Sequence, residues 1–305
     1  KLFTKKTLNI FFGKKNCKFK PITNNLIDNV WKRKIKKSKS GFYKLPDNSV
    51  GLNYKSKINK VVSNLKKKGA YFQFITASEN NAWLFNIRGY DTKYTPLPYS
   101  HALIDQNKNI KFFCDLKKIS PSFKKKFNEI EFLKEDLIDD ILSNISLKKF
   151  IVDKNSCSFY YENLISQNNK VLDFQDPIYF LKAIKSKNEI KNIKQAHIHD
   201  GAALTKFLFW LKNNFNKKKI TEISASKKLY NFRKKNKKFK FSSFPTISGS
   251  GPNGAIIHYK PSKKTNRKLK SGDIYLVDSG GQYEFGTTDV TRTVSLKNSS
   301  KRIKN

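Results

Sequence analysis

The hydrophobic pattern becomes regular only after residue 46. The apolar residues that recur at the spacing of an amphipathic helix are Ile58, Val61, Val62 and Leu65. Gly69 follows them, where such a helix would end. Residues 1–46 show weak periodicity among charge runs and turn formers, which indicates the tail of an upstream domain and a linker.

Short apolar stretches that are typical of strands follow this helix. The predicted strands span residues 71–75, 101–104, 110–114 and 147–152. Helical stretches lie between them, notably near residues 123–141. Because helices and strands alternate along this part of the chain, we predict an α/β domain over residues 47–175.

A second domain is predicted over residues 176–305. Ser186 and Glu189 form a capping-box pattern that begins a long helix, predicted from Lys187 to about residue 214. The other predicted elements are a helix over 221–235, a loop rich in Gly, Ser and Pro that starts at 244, and strands over 255–259, 274–278 and 287–294. The mixture of helices and antiparallel strands places this domain in the α+β class.

Composition narrows the class of protein. Apolar residues make up 38% of the chain, which is typical of a folded protein. The formal net charge of +40 comes from Lys residues spread along the whole sequence, so we expect no nucleic-acid partner. No apolar run approaches the roughly 20 residues that span a bilayer, and we expect no membrane segment. Because the sequence lacks Met and ends shortly after a predicted strand, we expect truncation at both ends.

The cysteines carry little chemistry. Cys17, Cys114 and Cys157 are far apart, odd in number and without metal-type spacing, so we expect neither a disulfide framework nor a zinc site. A reducing compartment fits this usage, and we expect a cytoplasmic protein.

Two aspartates are the strongest candidates for chemistry. Asp278 ends the apolar run 274–278, and Asp289 lies near the start of the β-branched run 287–294. Antiparallel neighbours bring such positions within about 5 Å, so two carboxylates would share one site. A pair of divalent cations would compensate their charge, since hard cations bind carboxylate oxygens. The alternative from the residues alone is that both aspartates only cap turns.

His258 is the candidate catalytic and substrate-binding residue. It follows the apolar run Ala255-Ile256-Ile257, and an imidazole placed there can donate a hydrogen bond to a peptide carbonyl. The alternative is a core or surface histidine. His197 and His199 lie two residues apart in the long helix and point to different faces, so we interpret them as structural.

The amino-acid sequences of two segments indicate a particular family more specifically than these patterns do. Residues 244–261 read FPTISGSGPNGAIIHYKP, and residues 275–294 read YLVDSGGQYEFGTTDVTRTV. Both closely resemble the catalytic domain of Xaa-Pro aminopeptidases, which are pita-bread metallopeptidases. The likeness extends to the helix KNEIKNIKQAHIHDGAALTKFLFWL and to residues 82–104, which resemble the middle, creatinase-N-like domain of the three-domain enzymes.

The resemblance implies the first half of a pita-bread catalytic domain with a dinuclear centre. That centre is usually of manganese, with zinc or cobalt as alternatives. It removes an N-terminal residue when proline is second, through a metal-bridged hydroxide. Asp278 and Asp289 match the first two metal ligands, and His258 matches the histidine that faces the peptide. The remaining ligands, one His and two Glu, come later in the family and have no match here. We therefore expect this fragment to be inactive, and the intact parent to be a homodimer.

Two alternatives stay open. One is a non-catalytic pita-bread module that binds peptides or proteins; retention of Asp278 and Asp289 argues against it. The other is a prolidase- or creatinase-type hydrolase on the same fold. The sequence motifs GSGPNGAIIHY and DSGGQY favour the aminopeptidase branch of the family.

Overall fold

A computed structural model describes residues 3–13, 22, 25–31 and 38–297. The chain divides into two compact units. The first unit comprises Lys1–Leu45, Leu52–Thr92 and Pro96–Ile184, and the second comprises Pro46–Gly51, Lys93–Thr95 and Lys185–Asn305.

The first unit is built on a mixed sheet flanked by helices. Its helices are α1 (Lys5–Phe12), α2 (Leu26–Val30), α3 (Tyr54–Lys67), α4 (Ser78–Leu84), α5 (Pro121–Lys124), α6 (Ile138–Ser143), α7 (Phe159–Asn168) and α8 (Pro177–Ala183). Its strands are β1 (Tyr43–Lys44), β2 (Phe72–Ile75), β3 (Ile87–Arg88), β4 (His101–Asp105), β5 (Ile110–Phe113), β6 (Ile130–Leu133), β7 (Lys149–Val152) and β8 (Lys170–Asp173).

The main sheet has the strand order β6-β5-β4-β2-β7-β8. Strand β4 runs antiparallel to both of its neighbours, and the other pairs are parallel. Helix α3 packs its apolar stripe into the core, with Val61 and Leu65 fully buried. Gly69 has a φ of +61°, a conformation that favours glycine and ends this helix. The predicted helix and the four predicted strands are confirmed.

The helix predicted near residues 123–141 is only partly correct. Strand β6 interrupts it and pairs in parallel with β5 at the edge of the sheet. Ile130 and Phe132 are buried while Glu131 between them is exposed, which is the two-residue alternation of a strand. Pairing with β5 therefore decides the conformation of this short segment.

Among its described residues, the second unit contains two α-helices and two small antiparallel sheets. Its elements are α9 (Lys187–Asn214), α10 (Glu222–Lys234), β9 (Phe239–Ser242), β10 (Ile247–Ser250), β11 (Ile274–Ser279), β12 (Gly281–Tyr283), β13 (Gly286–Thr287) and β14 (Val290–Ser295). The sheets have the orders β10-β11-β14 and β13-β12-β9. The predicted capping box at Ser186 and Glu189 begins α9 and is confirmed.

The core of the second unit lies between the helices and β11. Phe207 and Leu211 of α9 pack with Leu229 of α10 against Tyr275 and Val277 of β11. This packing fixes one face of the strand that carries Asp278. The α/β and α+β classes predicted for the two parts of the chain are confirmed.

The strand predicted over residues 255–259 is wrong. A 3-10 helix covers Gly251–Ala255, and a turn follows it. Ile257 is 86% exposed, so the apolar run that suggested a buried strand does not enter the core. Side-chain hydrogen bonds to Tyr259 and Asn253 hold this segment instead.

Both cysteines that the structure describes lie in the protein interior. Cys114 and Cys157 are free and buried, and burial raises the pKa of both thiols to about 12. Cys17 lies outside the described residues. Within the described ranges, no helix has the length and apolar character needed to cross a membrane.

Candidate metal centre

Asp278 lies on β11 and Asp289 immediately precedes the neighbouring strand β14, so the two are not directly opposite each other. In the β11–β14 pair, Asp278 faces Thr291, two residues after Asp289. The aspartates are therefore diagonal neighbours on one face of the sheet, a relation that separates Cα atoms by about 7–8 Å rather than 5 Å. The connection between them contains the hairpin of β12 and β13.

A glycine pair brings the two strand ends together. A Cβ atom at Gly280 would collide with the carbonyl oxygen of Thr288 and the Oγ of Ser243. Hydrogen bonds fix this approach: the Gly281 amide donates to Thr288 Oγ1 (2.9 Å), and the Thr288 amide donates to the Gly281 carbonyl (2.9 Å). Gly280 and Gly281, which follow β11, are thereby held against Thr288, which precedes Asp289.

A buried ion pair holds the end of β11. Arg233 of α10 donates through Nε and Nη2 to the two carboxylate oxygens of Asp200 on α9, at 2.7 and 2.9 Å. Arg233 Nη2 also donates to Ser279 Oγ (3.1 Å), and the Tyr283 hydroxyl donates to Asp200 Oδ1 (2.9 Å). Because these side chains are almost fully buried, the network fixes the strand end that carries Asp278.

The electrostatics of the aspartate pair favour a cation. Asp278 Oδ1 is buried and has no hydrogen-bond partner among the described residues. Partial desolvation, and then the neighbouring Asp278 carboxylate, raise the pKa of Asp289 above its ordinary value. An open carboxylate oxygen beside a second carboxylate fits a divalent cation. Within the described part of the chain, however, no group of three or more His, Cys, Asp or Glu side chains could hold a metal ion.

His258 lies in the turn that follows the 3-10 helix. Its side chain is exposed, and its φ of +56° is uncommon for a residue other than glycine. No hydrogen bond or ion pair of the described residues joins it to Asp278 or Asp289. The structure thus brings the two aspartates together and shows no direct contact between them and His258.

His197 is a neighbour of this site that the sequence did not reveal. Its imidazole is close enough to Asp289 to oppose the rise in that carboxyl's pKa. The reason is the packing of β13 on α9, where a side chain at Gly286 would press on the Cβ of Ala196. Spacing within α9 gives no signal for this contact, because it depends on a strand some 90 residues later. His199 instead contacts Gln195 and Phe285.

Family comparisons agree with this architecture. Residues 33–189 match the Creatinase/Prolidase N-terminal domain, and residues 191–305 match metallopeptidase family M24. The chain therefore belongs to the family defined by the Creatinase/Prolidase N-terminal domain.

Within this family the chain is similar to Xaa-Pro aminopeptidases. It is 36% identical to Xaa-Pro aminopeptidase ApepP of Drosophila melanogaster, over 91% of this chain and 46% of the relative. It is 34% identical to a probable Xaa-Pro aminopeptidase P of Pyrenophora teres f. teres (strain 0-1), over 92% and 45%. The chain spans about half the length of the curated relatives it matches.

A solved structure of an X-prolyl aminopeptidase is also similar to this chain. The X-prolyl aminopeptidase of Caenorhabditis elegans, described as a cytosolic enzyme with a di-nuclear active site, matches with a TM-score of 0.86 and 29% identity. The match covers 92% of this chain and 47% of that protein.

Proposed function

We propose that the intact protein is a metal-dependent aminopeptidase that hydrolyses the bond between an N-terminal residue and a following proline. The observation that carries this proposal is the convergence of Asp278 and Asp289, with one buried carboxylate oxygen of Asp278 left without a donor. The similarity to Xaa-Pro aminopeptidases of Drosophila melanogaster and Caenorhabditis elegans supports the choice of substrate.

Asp278 and Asp289 would hold a pair of divalent ions, for which we propose manganese. Carboxylate oxygens suit such hard cations. When bound, the ions polarise the peptide carbonyl and make water a stronger nucleophile. The di-nuclear site of the Caenorhabditis elegans relative supports a pair rather than one ion. Since two carboxylates alone cannot fix two ions, we propose that further ligands come from outside the described residues, and that the 305-residue chain alone is inactive.

His258 would contact the peptide. Its imidazole is exposed on a turn and can donate a hydrogen bond to the carbonyl oxygen as negative charge develops there. We further propose a cytoplasmic homodimer. The cytosolic relative in Caenorhabditis elegans supports the location, and the homodimer rests on the family resemblance alone.

The test compares two peptides that differ only in proline or alanine at the second position. The intact protein, stripped of metal and reloaded with Mn²⁺, should cleave only the proline peptide. Asp278→Asn should lower kcat/KM by at least roughly 100-fold, because it removes a metal ligand. Glu284→Gln, which changes the partly exposed ion-pair partner of Lys238, is the matched control and should retain activity.

Other outcomes discriminate between functions. Cleavage of the proline peptide without any metal would overturn the proposal. Absence of cleavage with each of Mn²⁺, Zn²⁺ and Co²⁺ would also overturn it. Binding of the proline peptide without cleavage would favour a non-catalytic module. Activity of the 305-residue chain equal to that of the intact protein would show that no further ligands are needed.

A further inference from the structure

Glu222 is a fully buried carboxylate in the first turn of α10. Both of its oxygens accept several hydrogen bonds. Oε1 accepts from the Ser250 amide (2.8 Å), and Oε2 accepts from the Arg267 amide (2.9 Å) and the Tyr259 hydroxyl (2.9 Å). Asn253 Nδ2 donates to both oxygens, at 3.0 and 3.2 Å. A charged acceptor with this many donors forms strong, directional contacts.

All four donors belong to one segment, residues 250–267. Beyond Ser250, which ends β10, and the 3-10 helix Gly251–Ala255, this segment has no helix or strand. Its exposed apolar side chains, Ile256 and Ile257, do not attach it to the core. Irregular segments of this kind open readily unless hydrogen bonds hold them. Glu222 supplies the buried acceptor on which these bonds converge.

His258 lies within this segment and next to one of the donors. Tyr259 is buried, and its hydroxyl reaches Glu222, while its amide donates to the Ile256 carbonyl (3.2 Å). The left-handed conformation of His258 is unfavourable by itself and persists only when its surroundings impose it. The contacts of Tyr259 and Asn253 on either side of His258 impose it here.

We propose that Glu222 is a positioning residue that sets the location of His258 by fixing residues 250–267. The inference rests on the proposed function, because it acts through the contact of His258 with the peptide. Glu222 itself has no access to substrate, since it is fully buried.

The first measurement is amide hydrogen exchange of residues 250–267 in the intact protein. Glu222→Gln keeps the shape of the side chain but replaces one acceptor oxygen with an NH2 group, so at least one pair of donors loses its partner. Exchange in this segment should accelerate roughly tenfold. Ser224→Ala is the matched control: it removes the capping contact to the Thr221 amide in the same helical turn and touches nothing in residues 250–267. The control should leave their exchange unchanged.

The second measurement is steady-state kinetics on an Xaa-Pro peptide. Glu222→Gln should lower kcat about tenfold while KM changes less than about twofold, because the group that contacts the transition state is displaced. In a His258→Ala background the same substitution should change kcat less than about twofold. Tyr259→Phe, which removes one of the four donors to Glu222 together with the hydroxyl's bonds to Thr265 and Asn253, should give a smaller effect in the same direction and serves if Glu222→Gln does not fold.

The outcomes separate the two proposals. Unchanged exchange in Glu222→Gln, an equal effect of Ser224→Ala, or equal kinetic effects with and without His258 would overturn the positioning role. An intact protein that does not cleave Xaa-Pro peptides would overturn the proposed function and, with it, the role through His258. In that case the exchange data still report whether Glu222 holds the segment.

Discussion

Asp176 in the first unit and Asp278 in the second are carboxylates with buried oxygens that are used in different ways. Asp176 caps α8: Oδ1 accepts from Gln73 Nε2 (2.8 Å) and the Ile178 amide (3.0 Å), and Oδ2 accepts from Asn80 Nδ2 (2.6 Å). Asp278 has a buried Oδ1 with no donor and a second carboxylate, Asp289, beside it. The first carboxylate is satisfied by the protein, whereas the second keeps a buried oxygen without a donor.

A perturbed pKa alone would have selected Asp176, a carboxylate whose two oxygens both have donors. Burial raises the pKa of Asp176 to about 6, with hydrogen bonds from Ile178, Asn80 and Gln73 acting against it and Asp153 adding to it. Strong perturbation of this kind is often used to locate functional sites. Here the count of donors separates a structural carboxylate from a candidate ligand. Glu222 belongs with Asp176 by this criterion, because donors occupy both of its oxygens.

The largest effect is expected from Arg233→Ala. This substitution leaves Asp200 buried without its bidentate partner and removes the contact to Ser279 beside Asp278. Breaking a buried pair in this way costs about 3–5 kcal/mol, measured as the free energy of unfolding of the second unit in denaturant. Arg292→Ala, at an exposed strand position, is the control and should change stability by less than about 0.5 kcal/mol. A loss below about 1 kcal/mol for Arg233→Ala would contradict the importance of the network.

Gly280→Ala should come next. The added Cβ collides with backbone at Thr288, so the strand ends that carry Asp278 and Asp289 must separate. We expect a loss of about 2–3 kcal/mol in stability, together with weaker Mn²⁺ binding in calorimetry. Gly201→Ala in α9 is the matched control, because its Cβ meets no atom within 4 Å and alanine favours a helix. The control should be neutral or stabilising, and equal losses for both variants would refute the close-approach argument.

The pH dependence of stability tests the carboxylate that the protein itself satisfies, Asp176. Because its folded pKa is raised to about 6, its contribution to stability is fully present below its ordinary pKa of about 4 and is lost as pH rises through about 6. The stability of wild type relative to Asp176→Asn should therefore fall by an amount on the order of 1 kcal/mol between pH 4 and pH 7. Denaturant titrations at several pH values measure this difference, with exposed Asp136→Asn as the comparison. If the stability of wild type relative to Asp176→Asn instead rises with pH, the folded pKa of Asp176 is not raised and the prediction is wrong.

Local patterns predicted the elements that carry the site, but not how the site is held. The capping box of Ser186 and Glu189 gave the start of α9, and the apolar run before Asp278 gave β11, because both signals lie within a few neighbouring residues. The diagonal relation of Asp278 and Asp289 needed the register of β11 and β14, which the intervening hairpin sets.

Long-range polar contacts account for what the sequence did not indicate. Glu222 reads as an ordinary first-turn acid of a helix, a position that the helix dipole favours. Its partners are 28 to 45 residues away along the chain. The same holds for the segment 255–259, whose apolar residues suggested a strand until buried hydrogen bonds decided its conformation. Assignment of Asp278, Asp289 and His258 as functional residues stays a prediction.

The smallest change in stability is expected from Asp289→Asn. The sign of this change is more informative than its size. In the metal-free protein the folded pKa of Asp289 is raised, so the ionised carboxylate is less favourable in the folded state than in the unfolded state. Asp289→Asn should then stabilise the metal-free protein at pH 7. Since Asp289 is exposed, screening limits the gain to roughly a few tenths of a kcal/mol.

The gain should vanish as pH falls toward about 4, where the wild-type carboxyl takes up its proton. It should reverse when Mn²⁺ is added, since only the wild-type protein can use both carboxylates as ligands. Denaturant titrations with chelator and with Mn²⁺ measure both changes. Glu284→Gln, which removes an exposed ion pair with Lys238, should instead be slightly destabilising with or without metal. If Asp289→Asn destabilises the metal-free protein at pH 7, the two aspartates do not repel each other, and the contrast between Asp278 and Asp176 loses its electrostatic basis.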